Sequence, residues 1–327
     1  MDTLVQQLIN GLTAGSVYAV VALGYTMVYG IIQLINFAHG EVVMIGAMVA
    51  FTVINALVPA GLPPLAVVLI GAGCAVPVCM LVGYGMERLA YRPLRHAPRL
   101  APLITAIGVS IILQHVALMI WSRNILAFPQ IIPSRSFAIG GAAITTTQVA
   151  ILAICFLLMA GLALLVYRTR LGTAMRATAQ NPQVAGLMGI DINRVIAATF
   201  VIGAALGAVA GVLFGTYYGI AQYTMGSILG LKAFSAAVLG GIGNIPGAMV
   251  GGVLLGIVEA LGAGYIGDFT DLCDYGWLAS VLSDCRGGGH FVLFGSNYQD
   301  VFAFIVLILV LVFRPSGLLG ERVGERA

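Results

Sequence analysis

The sequence predicts an all-α, polytopic membrane protein of eight or nine transmembrane helices, and three observations carry that prediction. Charged residues are 8% of the 327-residue chain and the hydrophobic set is 60%. Soluble domains need about a quarter of their residues charged to solvate a surface. Apolar runs recur near 8–33, 36–58, 65–87, 101–121, 148–167, 195–219, 225–243, 247–266 and 298–313. A hydrocarbon core of about 30 Å needs about 20 such residues per helix. Finally, the basic residues gather in three intervening segments instead of spreading evenly.

The first run has no basic segment before it, so it reads as a permanent span and not as a cleaved signal. The second follows INFAHGE (35–41), which puts Asn36, His39 and Glu41 between two apolar runs. Glu41 is the one charge between Asp2 and Glu87. A charge inside a bilayer is costly and is retained where it faces protein or a water-filled cavity. The reading is a helix break at or just within the membrane. The competing reading is an interfacial turn whose polar groups only satisfy the backbone.

Arg88, Arg92, Arg95 and Arg99 follow the third run; Arg168, Arg170, Arg176 and Arg194 follow the fifth; Arg314, Arg322 and Arg326 follow the last. With nine spans these 11 of 15 basic residues share one side, and eight spans break the partition. The positive-inside rule makes that side cytoplasmic, with the N-terminus outside and the C-terminus inside. The outer side receives Arg123, Arg135, Arg286 and the acids Asp268, Asp271, Asp274, Asp284 and Asp300.

The whole chain, 1–327, reads as one membrane domain with two long polar segments. Residues 168–194 form a basic cytoplasmic loop, RTRLGTAMRATAQNPQVAGLMGIDINR, expected to hold two short helices broken at Asn181-Pro182. Such a loop offers a surface to a soluble partner. Residues 268–298 form an outer loop with Cys273 and Cys285, 12 residues apart and expected to pair in an oxidising compartment, two free thiols being the competing reading. Cys74, Cys79 and Cys155 lie in apolar runs and read as buried packing residues.

The sixth run carries Gly203, Gly207, Gly211, Gly215 and Gly219, a stripe for close helix packing or, less simply, for lining a pathway. The seventh and eighth runs are short and joined by GGIGNIPG (240–247), so two spans and a re-entrant pair are both open. Lys232 and Glu259 lie within them: the lysine can snorkel outward, and the glutamate needs a partner, a proton or water. YGIIQ (29–33) recurs as YGIAQ (218–222), at opposite faces under nine spans, which suggests an inverted repeat of four spans, a linker span and four spans with discontinuous helices. The offset aligns Glu41 with Gly230, making Lys232 a candidate partner for Glu41; binding to backbone amides of the cytoplasmic loop is the other.

Several chemistries are excluded. There is no GxxxxGK[ST], no HExxH, no strand context for a dinucleotide fold, no cysteine spacing for zinc or iron–sulfur, and no basic run interleaved with aromatics for nucleic acid. No enzyme, metal or cofactor is expected.

At INFAHGE the chain resembles the permease subunits of branched-chain amino-acid ABC importers, the Liv H-type. The same likeness runs through SVYAVVALGYTMVYGIIQLINFAHGE (16–41), ERLAYRPLR (87–95), TAIGVSIILQ (105–114), RVIAATFVIGAALGAVAGVLFG (194–215), LKAFSAAVLGGIGNIPGAMVGG (231–252) and FRPSGLLG (313–320). The resemblance implies a bacterial inner-membrane permease for Leu, Ile and Val, working with a second M-type permease, two cytoplasmic ATPase subunits and a periplasmic amino-acid-binding protein. It implies that residues about 172–191 dock on an ATPase, with Arg176, Gln180, Asn181, Gly189 and Asp191 as candidate contacts. Asn36, His39, Glu41, Lys232 and Glu259 are the candidate pathway residues. The outer segment 268–300 is longer than is usual in that family. The alternatives are a permease of the same superfamily for other amino acids, amides or urea, and a proton-coupled secondary transporter using Glu41 or Glu259.

Overall fold

The computed structural model describes residues 2–95, 97–98, 100–139, 141–270 and 298–320. The chain runs through α1 (Asp2–Ile32), α2 (His39–Leu57), α3 (Pro64–Gly85), α4 (Leu100–Trp121), α5 (Thr146–Arg168), α6 (Arg170–Gln180), α7 (Pro182–Leu187), α8 (Ile192–Tyr218), α9 (Met225–Gly240), α10 (Ile245–Phe269) and α11 (Gln299–Phe313). Two small antiparallel ribbons join loops: β1 (Leu126–Ala127) with β4 (Ile220–Ala221), and β2 (Ser136–Ile139) with β3 (Ala142–Thr145). Seven helices are long and apolar enough to cross a membrane, and α9 and α11 are shorter apolar helices. All nine expected runs are helical.

Contacts sort the helix ends into two groups. At one end the Ala143 amide donates to Gln6 of α1, and β1 pairs with β4. At the other end Gly243 approaches Gly30 at the end of α1, and the chain after α11 folds onto the α9–α10 turn. Leu318 and Leu319 donate backbone N–H groups to Leu239 and Gly240, and the Asn244 amide donates to Leu319 O at 2.6 Å. Helix α9 therefore runs from the first end to the second, and α10 returns. That favours two traversals over a re-entrant pair. At about 1.5 Å per residue, α9 covers only about 24 Å, and the non-helical residues 219–224 precede it, with strand geometry at Ile220–Ala221.

The halves interchange. Helix α1 packs along α10 as α8 packs along α3, while α2 packs on α3 and α8, and α9 on α10 and α1. Exchanging α1, α2, α3 and α4 with α8, α9, α10 and α11 preserves this pattern, with α5 as the linker. The YGIIQ and YGIAQ copies each span a helix end, but at different letters: α1 ends before Gln33, φ 52°, and α8 before Gly219, φ 69°, which aligns with Gly30.

Three expectations need correction. The third span does not stop at Glu87: a π-helical turn (Met86–Tyr91) and a 3-10 turn (Arg92–Leu94) extend it, so Arg88 and Arg92 are helical and not in a loop. Pro93 prevents further regular helix. Cys74 is exposed on the outer face of α3, whereas Cys79 and Cys155 are buried as expected. Cysteine is apolar enough to face lipid. Asp300 does not belong to the outer loop; it sits in the first turn of α11 and reaches into the bundle.

Helices α1 and α8 are the most enclosed, while α4 and α5 turn Ile104, Met119, Phe156 and Leu157 outward. Such an outward apolar face suits a hydrocarbon solvent. The glycines of α8 serve the packing. A Cβ on Gly203 would approach Gly24 of α1 at 3.6 Å, and one on Gly207 would meet Val43 of α2 at 3.3 Å.

Candidate functional site

The first break holds two of the candidate residues by their side chains. After Gln33 the chain is extended to Asn36, whose Oδ1 accepts a 2.8 Å bond from the Tyr91 hydroxyl. Asn36 O then accepts the His39 amide and starts α2. The His39 ring lies edge-on to Tyr25 at 4.9 Å and fills the space left by Gly24, Gly203 and Gly207. The next residue, Gly40, lies against α9, where a Cβ would come 2.8 Å from Gly230 Cα. The starts of α2 and α9, one after each break, therefore cross at backbone contact.

Glu41 sits between that crossing and α4. It is fully buried, and its Oε1 accepts from Gln114 at 2.7 Å and from Ser110 at 3.2 Å. Its Oε2 has no hydrogen-bond partner among the described residues and lies over Gly226. Neither partner expected for Glu41 is the one observed. Lys232 is engaged elsewhere, and the loop 168–194 does not reach Glu41. An offset of five letters gave register but not the rotation of each helix, which decides what a side chain faces.

Lys232 does not snorkel outward. Its ammonium donates to Glu259 Oε1 at 2.7 Å and lies 2.7 Å from Asp300 Oδ1 and 5.7 Å from the centre of the Tyr18 ring. The Tyr18 hydroxyl donates to the same Glu259 oxygen at 3.3 Å and meets the Tyr218 hydroxyl at 3.4 Å. Five helices thus converge on one ionic cluster, with two carboxylates around one ammonium. Sequence reading found Lys232 and Glu259 as intramembrane charges but missed Asp300, Tyr18 and Tyr218. The available signal for Asp300 was its position, immediately before an unbroken apolar run.

A second buried charge lies at the opposite end. Glu87 is fully buried in the π-helical turn and bonded to Arg95 Nη2, with Arg92 Nε at 3.6 Å. Arg95 Nη1 donates to Asn193 Oδ1 at 2.6 Å. Burial pushes the Arg95 guanidinium down from its ordinary value, and the Glu87 carboxylate opposes that shift.

The segment 168–194 holds the two short helices expected, α6 and α7. Thr169, Asn181 and Asp191 cap α6, α7 and α8 by accepting the amides of Gly172, Val184 and Arg194. Pro182 opens α7 where its missing N–H is not needed. Arg176 is exposed, lies over the Tyr167 ring at 5.7 Å and lines an 80 Å³ cavity with Thr26, Gly30, Met175 and Gly243. Gln180 is exposed, and Asp191 also pairs with Arg194 at 3.0 Å. Gly189 stands at φ 84° with open space around it, so backbone geometry, and not close approach, requires glycine there. Val184, Leu187 and Met188 project from this loop as exposed apolar side chains. Cys273 and Cys285 lie outside the described residues. Among the described residues no three His, Cys, Asp or Glu side chains gather to hold a metal ion.

Among the described residues, nine apolar helices, two internal breaks and one capped polar loop define a multi-pass membrane protein of transporter type. A family model described as branched-chain amino acid transport system / permease component matches residues 7–311, and the chain belongs to that family. It is 48% identical over 97% of its length to the high-affinity branched-chain amino acid transport system permease protein BraD of Pseudomonas aeruginosa, covering 95% of that protein. It is 45% identical over 97% of its length to LivH of Escherichia coli K12, the permease protein of the same kind of system, again covering 95%. A probable branched-chain amino acid transport permease protein of Methanocaldococcus jannaschii is 28% identical over 91% of the chain and 87% of its own length. No solved structure matches the chain.

Proposed function

We propose that this chain is the transmembrane permease subunit of an ATP-binding-cassette importer for leucine, isoleucine and valine. The observation that carries this reading is the end-to-end identity of 48% and 45% to two proteins whose names specify that transport. In this reading the chain lies in a bacterial inner membrane, N-terminus periplasmic and C-terminus cytoplasmic. It pairs with an M-type permease and receives substrate from a periplasmic amino-acid-binding protein. Two cytoplasmic ATPase subunits drive alternating access, and the chain itself makes and breaks no covalent bond.

The loop 168–194 docks on an ATPase subunit, with Arg176, Gln180, Asn181, Gly189 and Asp191 shaping the surface. The exposed Leu187 and Met188 beside them support this, since exposed apolar side chains on a polar loop suit a protein partner. The pathway runs past Asn36, His39, Glu41, Lys232 and Glu259. A proton-coupled transporter would have no use for such a loop. The test is uptake by the reconstituted complex. Labelled leucine, isoleucine and valine enter with ATP, and acetamide and urea do not compete. Competition by urea or amides, or uptake by the chain alone under a pH gradient, refutes the reading.

A further inference from the structure

We propose that Glu87, Tyr91 and Arg95 are positioning residues that carry movement of the 168–194 loop to the membrane break at 33–38. This rests on the reading of that loop as an ATPase-docking surface. The contacts are continuous. Asp191 closes the loop by capping α8, and two residues later Asn193 accepts the Arg95 guanidinium at 2.6 Å. The other arm of the same guanidinium holds Glu87, which is fully buried. Glu87 and Tyr91 stand four residues apart on one π-helical turn. The Tyr91 hydroxyl donates to Asn36 at 2.8 Å, and Asn36 O accepts the His39 amide at the start of α2.

Three features make this more than a staple at the end of α3. The turn is π-helical, a geometry that costs regular helix bonding and concentrates at functional positions. Arg95 uses two arms on two different elements, which a lysine ammonium cannot reproduce in one planar fork. And Tyr91 is fixed at both ends, its ring 5.1 Å from Phe200 of α8 and its hydroxyl on Asn36, so a shift of α8 reaches the break through it. Transmission needs an element that both ends bias, and the turn Met86–Tyr91 is that element.

The test uses the assembled complex in liposomes with its binding protein. Asn193→Ala cuts the outer link at an exposed side chain, Tyr91→Phe cuts the inner link, and Arg95→Lys keeps the charge on Glu87 while losing the fork. Each is expected to lower substrate moved per ATP by about three- to ten-fold, the net worth of one hydrogen bond, with the ATPase subunits bound at normal stoichiometry. An Ile35→Cys reporter should lose its nucleotide-dependent change in thiol labelling in the same variants. The Asn193→Ala/Tyr91→Phe double variant should be no worse than Tyr91→Phe, because the links act in series. Normal transport per ATP in any of the three single variants, or losses that multiply in the double, overturns the relay. Leu187→Asp is measured in parallel: retention of the ATPase subunits by that variant sinks the docking reading itself.

Discussion

The Lys232 ammonium on α9 lies 2.7 Å from the Glu259 carboxylate on α10, and this pair is the ionic centre of one end of the bundle. Asp300 and Tyr18 complete it from α11 and α1. Four helices are held to one cation, which fixes their relative depth as apolar contacts alone do not.

Removing that cation strands two carboxylates. Lys232→Met should destabilise the detergent-solubilised protein by about 3 kcal/mol, the usual cost of breaking a buried pair from one side. Glu259→Gln in the Lys232→Met background should recover part of the loss. Thermal midpoints of the four proteins in the cycle are the measurement, and additivity would mean that the pair is not coupled.

Glu41 and Lys232 share no partner, so their effects should add. A cycle on Glu41→Gln and Lys232→Met, read by uptake and assembly, should be additive within about 0.5 kcal/mol. Glu41→Leu should cost more than Glu41→Gln, because glutamine can still accept from Gln114 and Ser110. A strong coupling to Lys232 would contradict the observed geometry.

The crossing of α2 and α9 depends on missing side chains. A methyl at Gly40 would fall 2.8 Å from Gly230 Cα, and one at Gly230 would fall 3.1 Å from Gly40 Cα. Gly40→Ala and Gly230→Ala should each cost about 1–3 kcal/mol by overpacking. Gly108→Ala and Gly161→Ala, where nothing lies within 4 Å, should be neutral or stabilising. Equal effects at all four sites would mean that helix propensity, not contact, sets the outcome.

Much of this was legible in the sequence. All nine runs are helical because a membrane helix announces itself by composition and length, which neither partner nor packing can override. The break at Asn181-Pro182 was legible because proline chemistry is local. The environment of Glu41 was not, since Ser110 and Gln114 lie 69 and 73 residues away on a helix whose rotation no pattern reported. Asp300 was misplaced for a related reason. Composition placed it in a polar loop, whereas the need to neutralise Lys232 draws it into the bundle. Arg95 was read as a topology signal and Glu87 only as the end of a stretch with a single charge, and the π-helical turn shows that the geometry of both matters as well as their charge.

Sidedness has a direct check. A membrane-impermeant thiol reagent applied from outside should label cysteine at Gln130 and leave cysteine at Gln180 unlabelled. Labelling at Gln180 would overturn both the orientation and the docking of the loop. In the same preparation, mass spectrometry without reductant should find Cys273 and Cys285 protected from alkylation.

In the loop, Arg176→Glu should lower uptake per ATP hydrolysed by the complex. Gly189→Val should do the same, because a β-branched residue at φ 84° is strained by about 1–2 kcal/mol. Gly189→Asn should be nearly normal, since asparagine tolerates that conformation. A normal Gly189→Val would remove the turn from the account.

The segment after α11 returns to the turn between α9 and α10 and bonds to it through Leu318 and Leu319. A ribosome makes Leu239 and Gly240 long before it makes the residues that satisfy their carbonyls. That turn therefore stays incomplete while α10, the segment after it and α11 are made. The carbonyls of Leu239 and Gly240 accept from residues made after α11, so closure of this turn follows the synthesis of α11. At the first break the corresponding bond is available sooner: Asn36 accepts from Tyr91, which is made before α4.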